Sequence, residues 1–244
     1  LLYSRFFMLA LAYDNNEFIS EEPFNGLFTQ GMVCHETYKD TNNNWISPEE
    51  IETIEGKKYL RKDKSKITVG PSESMSKSKK NTIDPESIIT DYGADAARLF
   101  ILSDSPPEKD VQWSEEGIAA SFKFIQKLWN LNIKINDEIK KKHLKDTNSN
   151  LTKFTHKFIK KITDNLNDFN YNVIIANLHE AYNYLIKEIT NEYKSHTLKE
   201  NYKKILIVFA PIIPHIIFEC LESLNLDGFQ KWPTVNKKML EVEN

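Results

Sequence analysis

The sequence predicts an α/β part over about residues 1–113, an all-α part over about 114–233 and a tail over 234–244. Three observations carry this. Short alternating runs broken by Gly56 and the region of Asp63 fill about 43–70, the pattern of small antiparallel strands. Two punctuated helices follow, opened by Asp84 and Pro85 and divided at Gly93. From Ser114 onward, apolar residues recur at helical spacing along stretches joined by short polar links, the pattern of an up-down bundle.

The chain has 244 residues, 40% hydrophobic and 11% aromatic, enough for one large domain or two modest ones with a packed core. Seven glycines argue against a repetitive all-β protein. The net charge of −3 names no partner, but its distribution does. Residues 57–80 hold nine Lys/Arg against two acids, a local positive excess on an acidic body, which suits a phosphate-bearing ligand. Two cysteines, Cys34 and Cys220, without a CxxC pair, predict no disulfide framework and no metal site, and fit a reducing cytoplasm. The longest apolar stretch, ILIVFAPIIPHIIF over 205–218, contains two prolines and falls short of the ~20 residues that span a bilayer, so no membrane partner is expected. The opening LLYSRFFMLALAY has no basic leader or small-residue cleavage site and is read as structure.

In order, residues 2–13 read as a helix apolar nearly all round, hence buried. GLFTQGMVCH, 26–35, reads as a short buried strand. Asp84 is the candidate N-cap of a helix with Pro85 in its first position, and Gly93 is its end. A second helix starts at about Ala94, with Ala97, Leu99, Phe100 and Leu102 apolar, and DSPPE is a turn. Ser114 caps a long helix with Glu115 and Glu116 at the positive end of its dipole. HLKDTNSN, 143–150, is a polar connector. Further helices are expected at about 151–168, 171–194 and 198–224, the last kinked by Pro211 and Pro214. Trp129 and Trp232 are expected in the core, and His215 is read as a packing histidine without a role.

The chemistry concentrates in SESMSKSKKN, 72–81, with three lysines and four serines in ten residues. Lysine is a compact charge on a flexible stem, suited to phosphate oxygens, and serines add hydroxyl and backbone donors. Such a loop can stabilise charge that builds on a phosphoryl group as its bond breaks. It is not a G-x-x-x-x-G-K-[ST] loop. Composition alone favours a solvated linker.

The neighbourhood changes that balance. MSKSKKN matches four residues of the K-M-S-K-S signature of class I aminoacyl-tRNA synthetases and its trailing K-x-N. IDPESIITDYGADAARLFIL and SPPEKDVQWSEEGIAASFKFIQKLWN resemble the same family's continuation. With FTQGMV upstream and APIIPH, then WP, downstream, the chain most resembles the bacterial-type leucyl branch over nearly its whole length.

The resemblance implies the second half of a Rossmann-like nucleotide-binding domain, with a small β insertion at about 43–70, plus an anticodon-binding-type helical bundle. It implies activation of leucine by ATP, accompanied by Mg2+, and transfer to tRNA(Leu) by a monomer. Lys77 aligns with the second lysine of the signature and is the expected catalytic charge. Met75, Ser76 and Ser78 would shape the ATP-binding loop. Gln30, Gly31 and Met32 lie where the family's strand approaches the adenosine through its backbone. Lys79 and Lys80 read as helpers or as solvated lysines. Lys153, Lys157, Lys160 and Lys161 share one helical face, with 140–142 and Lys145 nearby, for tRNA phosphates or simply for solvent.

Two departures stand out. Ser74 occupies the position of the first signature lysine, so Lys77 suffices or a neighbour such as Lys66 supplies the charge. The H-x-G-H signature is absent from the chain, which is therefore expected to be a piece of a longer enzyme, inactive alone. The alternatives are another class I synthetase, for valine, isoleucine, methionine or cysteine, or a non-catalytic RNA-binding module.

Overall fold

The computed structural model describes residues 1–13, 22–141, 143–146, 149–228 and 230–240. They form two compact units, 1–30 and 31–244. In the first unit, α1 spans Leu2–Ala12. The helix is where the sequence places it, but none of its residues is buried, and Tyr3 is 91% exposed. The expectation of a buried helix is not met within this unit: apolarity all round demands a covering surface, and the unit's other described residues do not supply one. The buried strand expected over 26–35 also shifts. Residues 26–32 are irregular and mostly exposed, and β1 spans Val33–Lys39.

The second unit begins with a three-stranded sheet in the order β4-β1-β5, where β4 spans Thr68–Ser74 and β5 Val111–Gln112. β1 runs antiparallel to β4 and parallel to β5. A hairpin of β2 (Ile51–Ile54) and β3 (Lys57–Leu60) lies within 43–70, where the sequence predicts small antiparallel strands. Its two turn residues, Glu55 and Gly56, both have left-handed backbones (φ 49° and 76°), the geometry that matches strand twist. Tyr38, Ile46 and Ile51 make a small core beneath it.

Helix α2 spans Pro85–Tyr92, and the Asp84 carboxylate accepts from the N–H groups of Glu86 and Ser87. Gly93, at φ 83°, separates it from α3, Ala94–Ser103. Ile88, Ala96, Phe100, Val111 and Ile118 join these helices to the sheet and to the long helix that follows Ser114.

The bundle consists of α4 (Glu115–Lys140), α5 (Asn150–Asn167), α6 (Tyr171–Glu188), α7 (Ser195–Phe209) and α8 (Pro214–Ser223). Ser114 caps α4 by accepting from Gly117 N. Fully buried Ile135, Ile159, Ile162, Ile174 and Ile213 lie in its continuous core.

Three expectations are corrected here. Helix α6 ends at Glu188, not near 194, because its buried carboxylate accepts from Asn191 (3.1 Å) and from the Tyr193 hydroxyl, drawing the chain out of the helix. The helix expected over 198–224 is two helices, not one kinked helix. Pro211 cannot donate, Pro214 starts α8, and the freed carbonyls of Pro211 and Ile212 accept from the Arg98 guanidinium at 2.7 and 2.8 Å. Trp129 and Trp232 are 37% and 40% exposed instead of buried; the Trp232 Nε1–H reaches Thr163 Oγ1 at 3.0 Å, and a ring with one polar edge settles at the surface.

His215 is likewise not a packing residue. Its ring is 71% exposed, with Nδ1 3.0 Å from Asp95, whose buried carboxylate also accepts from the N–H groups of His215 and Ile216 and so caps α8. Cys34 and Cys220 are buried free thiols, and burial pushes the Cys220 thiol up to about 12. Among the described residues no helix is long and apolar enough to cross a membrane.

Candidate functional site

The serine-lysine loop leaves the carboxyl end of β4, beside the start of β1. Cys34 faces Ser74 and His35 faces Glu73 in the ladder, and Met75 N continues it by donating to Val33 O at 3.1 Å. The chain then turns. Lys79 N donates to Ser76 Oγ (3.3 Å), Lys80 N to Lys77 O (3.3 Å), and Ser76 Oγ lies 3.2 Å from Ser78 Oγ. Lys80 closes the turn in the left-handed region at φ 52°.

Beneath the turn lies Asn81, which is 0% exposed. Its Oδ1 accepts from Ser76 N at 2.9 Å. Its Nδ2 donates to His35 O at 3.2 Å and Glu73 O at 3.1 Å. One side chain thus ties the loop's two ends to each other and to both strands.

The three lysines differ. Lys79 is bound to the Glu73 carboxylate. Lys77 is exposed, and among the described residues its ammonium has no hydrogen bond or ion pair. Lys80 is also exposed. The loop stands on open surface: the neighbouring polar cleft, about 640 Å³ and lined by His35, Glu36, Lys58, Ser72 and Gln112 among others, includes none of residues 75–81. In that cleft Lys58 donates to Glu36 and to the Tyr38 hydroxyl, holding the Glu36 carboxyl below its usual range. Burial, reinforced by Lys58, lowers the His35 imidazole.

Gly31 is a close backbone approach. Its N–H donates to Pro107 O at 2.8 Å, and an added Cβ would sit 2.1 Å from Lys109 O. Met32 N donates to the Asp110 carboxylate at 2.8 Å, and Met32 O accepts from Val111 N. The donors at 31 and 32 are therefore engaged within the protein, and a ligand meeting this backbone is left the carbonyl of Gly31. Gln30 closes the first unit and is exposed. Met32 and Met75 come together through Val33; Met75, Ser76, Lys77 and Ser78 share the one loop.

Residues 64–114 match the family described as tRNA synthetases class I (I, L, M and V), and residues 148–244 match the anticodon-binding domain of tRNA ligase. A leucine–tRNA ligase of Orientia tsutsugamushi is 40% identical over 254 aligned residues, covering all of this chain. One of Bartonella quintana is 41% identical over 92% of it. Over its whole length the chain is homologous to leucine–tRNA ligases. It spans 29% of the Orientia relative and 27% of the Bartonella one. The fold matches a LeuRS of Agrobacterium radiobacter K84, solved as a ternary complex with tRNA and LeuAMS, with a TM-score of 0.69 over 100% of this chain and 28% of that one, at 22% identity.

Against this homology to leucine–tRNA ligases, the Ser74 departure has a geometric answer on one side. Lys66 precedes β4, and the strand alone sets Thr68 and Ser74 roughly 20 Å apart, beyond the reach of a lysine side chain.

The bundle's basic face is partly neutralised. Lys160 pairs with Asp164 and Lys161 with Glu180, both at 2.7 Å, while Lys157 is exposed. Lys140 pairs with Asp137 and Lys141 with Glu138; Lys142 lies outside the described residues. Exposed pairs of this kind are weak and exchange readily for another anion.

Sequence reasoning missed Glu73, Asp110 and the task of Asn81. The trailing asparagine of the motif was a signal for the last. Nothing in the sequence pairs Met32 with Asp110, 78 residues on.

Proposed function

We propose that this chain serves as part of a leucine–tRNA ligase, which joins leucine to tRNA(Leu) with ATP. The leucine carboxylate attacks the α-phosphorus, pyrophosphate leaves, and the leucyl group passes from the adenylate to the tRNA ribose. In this reading residues 1–113 form the nucleotide half, with a β insertion at 43–70, and 114–233 the tRNA-facing bundle, followed by a tail. Lys77 meets the charge that builds on the departing pyrophosphate oxygens. Met75, Ser76 and Ser78 shape the loop around it, and the backbone at Gln30, Gly31 and Met32 borders the adenosine. Mg2+ belongs to the oxygens of the triphosphate; among the described residues no cluster of three or more His, Cys, Asp or Glu side chains is placed to hold a metal. The enzyme acts as a monomer in the cytoplasm, where its buried thiols stay reduced.

The observation that carries this reading is the contrast between lysines: Lys79 is engaged by Glu73, while the Lys77 ammonium stands exposed on a loop anchored on both sides. In the complete gene product, Lys77→Ala is expected to slow leucine-dependent ATP–pyrophosphate exchange on the order of 10²–10³-fold. Lys80→Ala is expected to cost under about tenfold, as a lysine outside the signature match. Full exchange activity in Lys77→Ala removes that residue from the chemistry, and exchange driven by valine but not leucine overturns the choice of substrate.

A further inference from the structure

Asn81 has no charge, no exposure and no place among the expected site residues, yet its amide is used completely. An asparagine side chain offers two donors and one acceptor oxygen. Here both donors and the acceptor meet backbone groups from three separate positions: Ser76 within the loop, Glu73 at the end of β4, and His35 in β1. The segment between Ser76 and Asn81 is closed by the first of these bonds. The other two set that closed segment against the sheet. Lys77 follows Ser76 directly, so the origin of its side chain is placed by the same bonds. Without them the loop would be tied to the sheet by its run from β4, the Met75–Val33 bond and the partly exposed Lys79–Glu73 pair.

We infer that Asn81 is the positioning residue of the nucleotide loop: its buried amide holds Ser76 and the sheet in one register, so that Lys77 starts from a defined point. This rests on the reading of the loop as the ATP-facing element given above. A buried amide suits the task better than a charge. A carboxylate in its place would confront two carbonyl oxygens with negative charge, and an aliphatic side chain would take the acceptor from Ser76 N–H and remove both bonds to the strand carbonyls. The Glu73–Lys79 pair lies over this anchor but is half-exposed and dispensable by comparison.

The test uses the complete gene product with Asn81→Ala and Asn81→Asp, read by amide hydrogen exchange and by leucine-dependent pyrophosphate exchange. In Asn81→Ala, amides of residues 75–81 are expected to exchange at least about tenfold faster while those of α5–α8 keep their protection. The kcat for pyrophosphate exchange is expected to fall by about 10- to 100-fold, with the KM for leucine within about twofold of the parent. Asn81→Asp keeps the acceptor for Ser76 N and, when protonated, regains one donor. Its deficit relative to the parent is therefore expected to shrink as pH falls from about 8 to about 6, because two facing carbonyls raise the pKa of a buried carboxyl. A general loss of folding would give neither the kcat-only effect nor the pH dependence, and Asn81→Asp carries the test if Asn81→Ala does not fold. Unchanged loop amides overturn the anchoring. Loosened amides with an unchanged kcat overturn the positioning role, and Lys77→Ala in the same assay then reports whether the loop reading itself survives. Absence of leucine-dependent exchange in the parent sinks the ligase reading and the positioning role with it, leaving only a structural anchor in the hydrogen-exchange data.

Discussion

Lys79 and Glu73 form an ion pair across the base of the serine-lysine loop, with side chains 39% and 35% exposed. Six residues apart in sequence, they meet because the turn that follows Ser76 brings Lys79 back toward the end of β4. The pair engages one of the loop's three cations and leaves Lys77 and Lys80 exposed.

Glu73→Gln releases Lys79 beside Lys77. Half-exposed pairs add ~0–1 kcal/mol, so global stability is expected to hold within about 1 kcal/mol. The KM for ATP in pyrophosphate exchange is expected to fall about two- to fivefold at ~0.02 M salt, and the gain to vanish near ~0.3 M, where the Debye length is short. Equal KM values at both salt levels show that the released cation does not reach the triphosphate.

Asp95 and Arg98, one turn apart on α3, hold the break between α7 and α8 from opposite sides. Arg98→Met is expected to cost about 1–3 kcal/mol, since two carbonyls lose a charged donor. Asp95→Ala is expected to cost about 1–2 kcal/mol as the loss of a helix cap. The double variant should lose less than the sum, because both act on the same break. Urea titration of the four proteins measures this; strict additivity would mean that the two contacts act independently.

Acid should loosen the contact between the hairpin and β1. The Glu36 carboxyl lies below its usual range, chiefly through Lys58, so its contribution is present above about pH 4.5 and is lost as pH falls through its lowered folded value. His35, lowered mainly by burial, acts in the same direction: below about 6.5 the unfolded chain takes up a proton that the folded one resists. Hydrogen exchange of β2 and β3 between pH 7 and pH 3, with Lys58→Met as reference, follows the effect. The reference variant should show a smaller change across that window; the same change in both would exonerate the Lys58–Glu36 pair.

Gly31→Ala is expected to destabilise by about 1–3 kcal/mol, because a Cβ 2.1 Å from Lys109 O forces the turn at 107–110 away from β1. Thermal unfolding and the hydrogen-exchange protection of Val111 should both register it. A neutral substitution would mean that this approach relaxes without cost.

Much of the local structure was legible because its causes are local. Asp84-Pro85 and Gly93 bound α2 as capping chemistry requires, Ser114 opens α4, and Gly56 marks the hairpin turn. Failures fell where a partner distant in sequence decides the outcome. The stretch over 198–224 has helical periodicity throughout, and its division depends on Arg98 and Asp95, more than a hundred residues earlier. The apolar run of α1 says that the helix seeks cover, not that it finds any.

By itself, the sequence determined which residues carry charge in the loop, where most helices begin, and which family the chain resembles. Only the tertiary structure decided which of those charges is free: that Glu73 engages Lys79, that Asn81 seats the loop on two strands, and that the strand length of β4 puts Lys66 out of reach. The physical reason is one of range. Capping, turn geometry and amphipathic spacing act over a few residues and are written in consecutive letters. The pairing of a charge or the burial of an amide depends on groups that chain folding brings together, and no spacing along the chain encodes that distance.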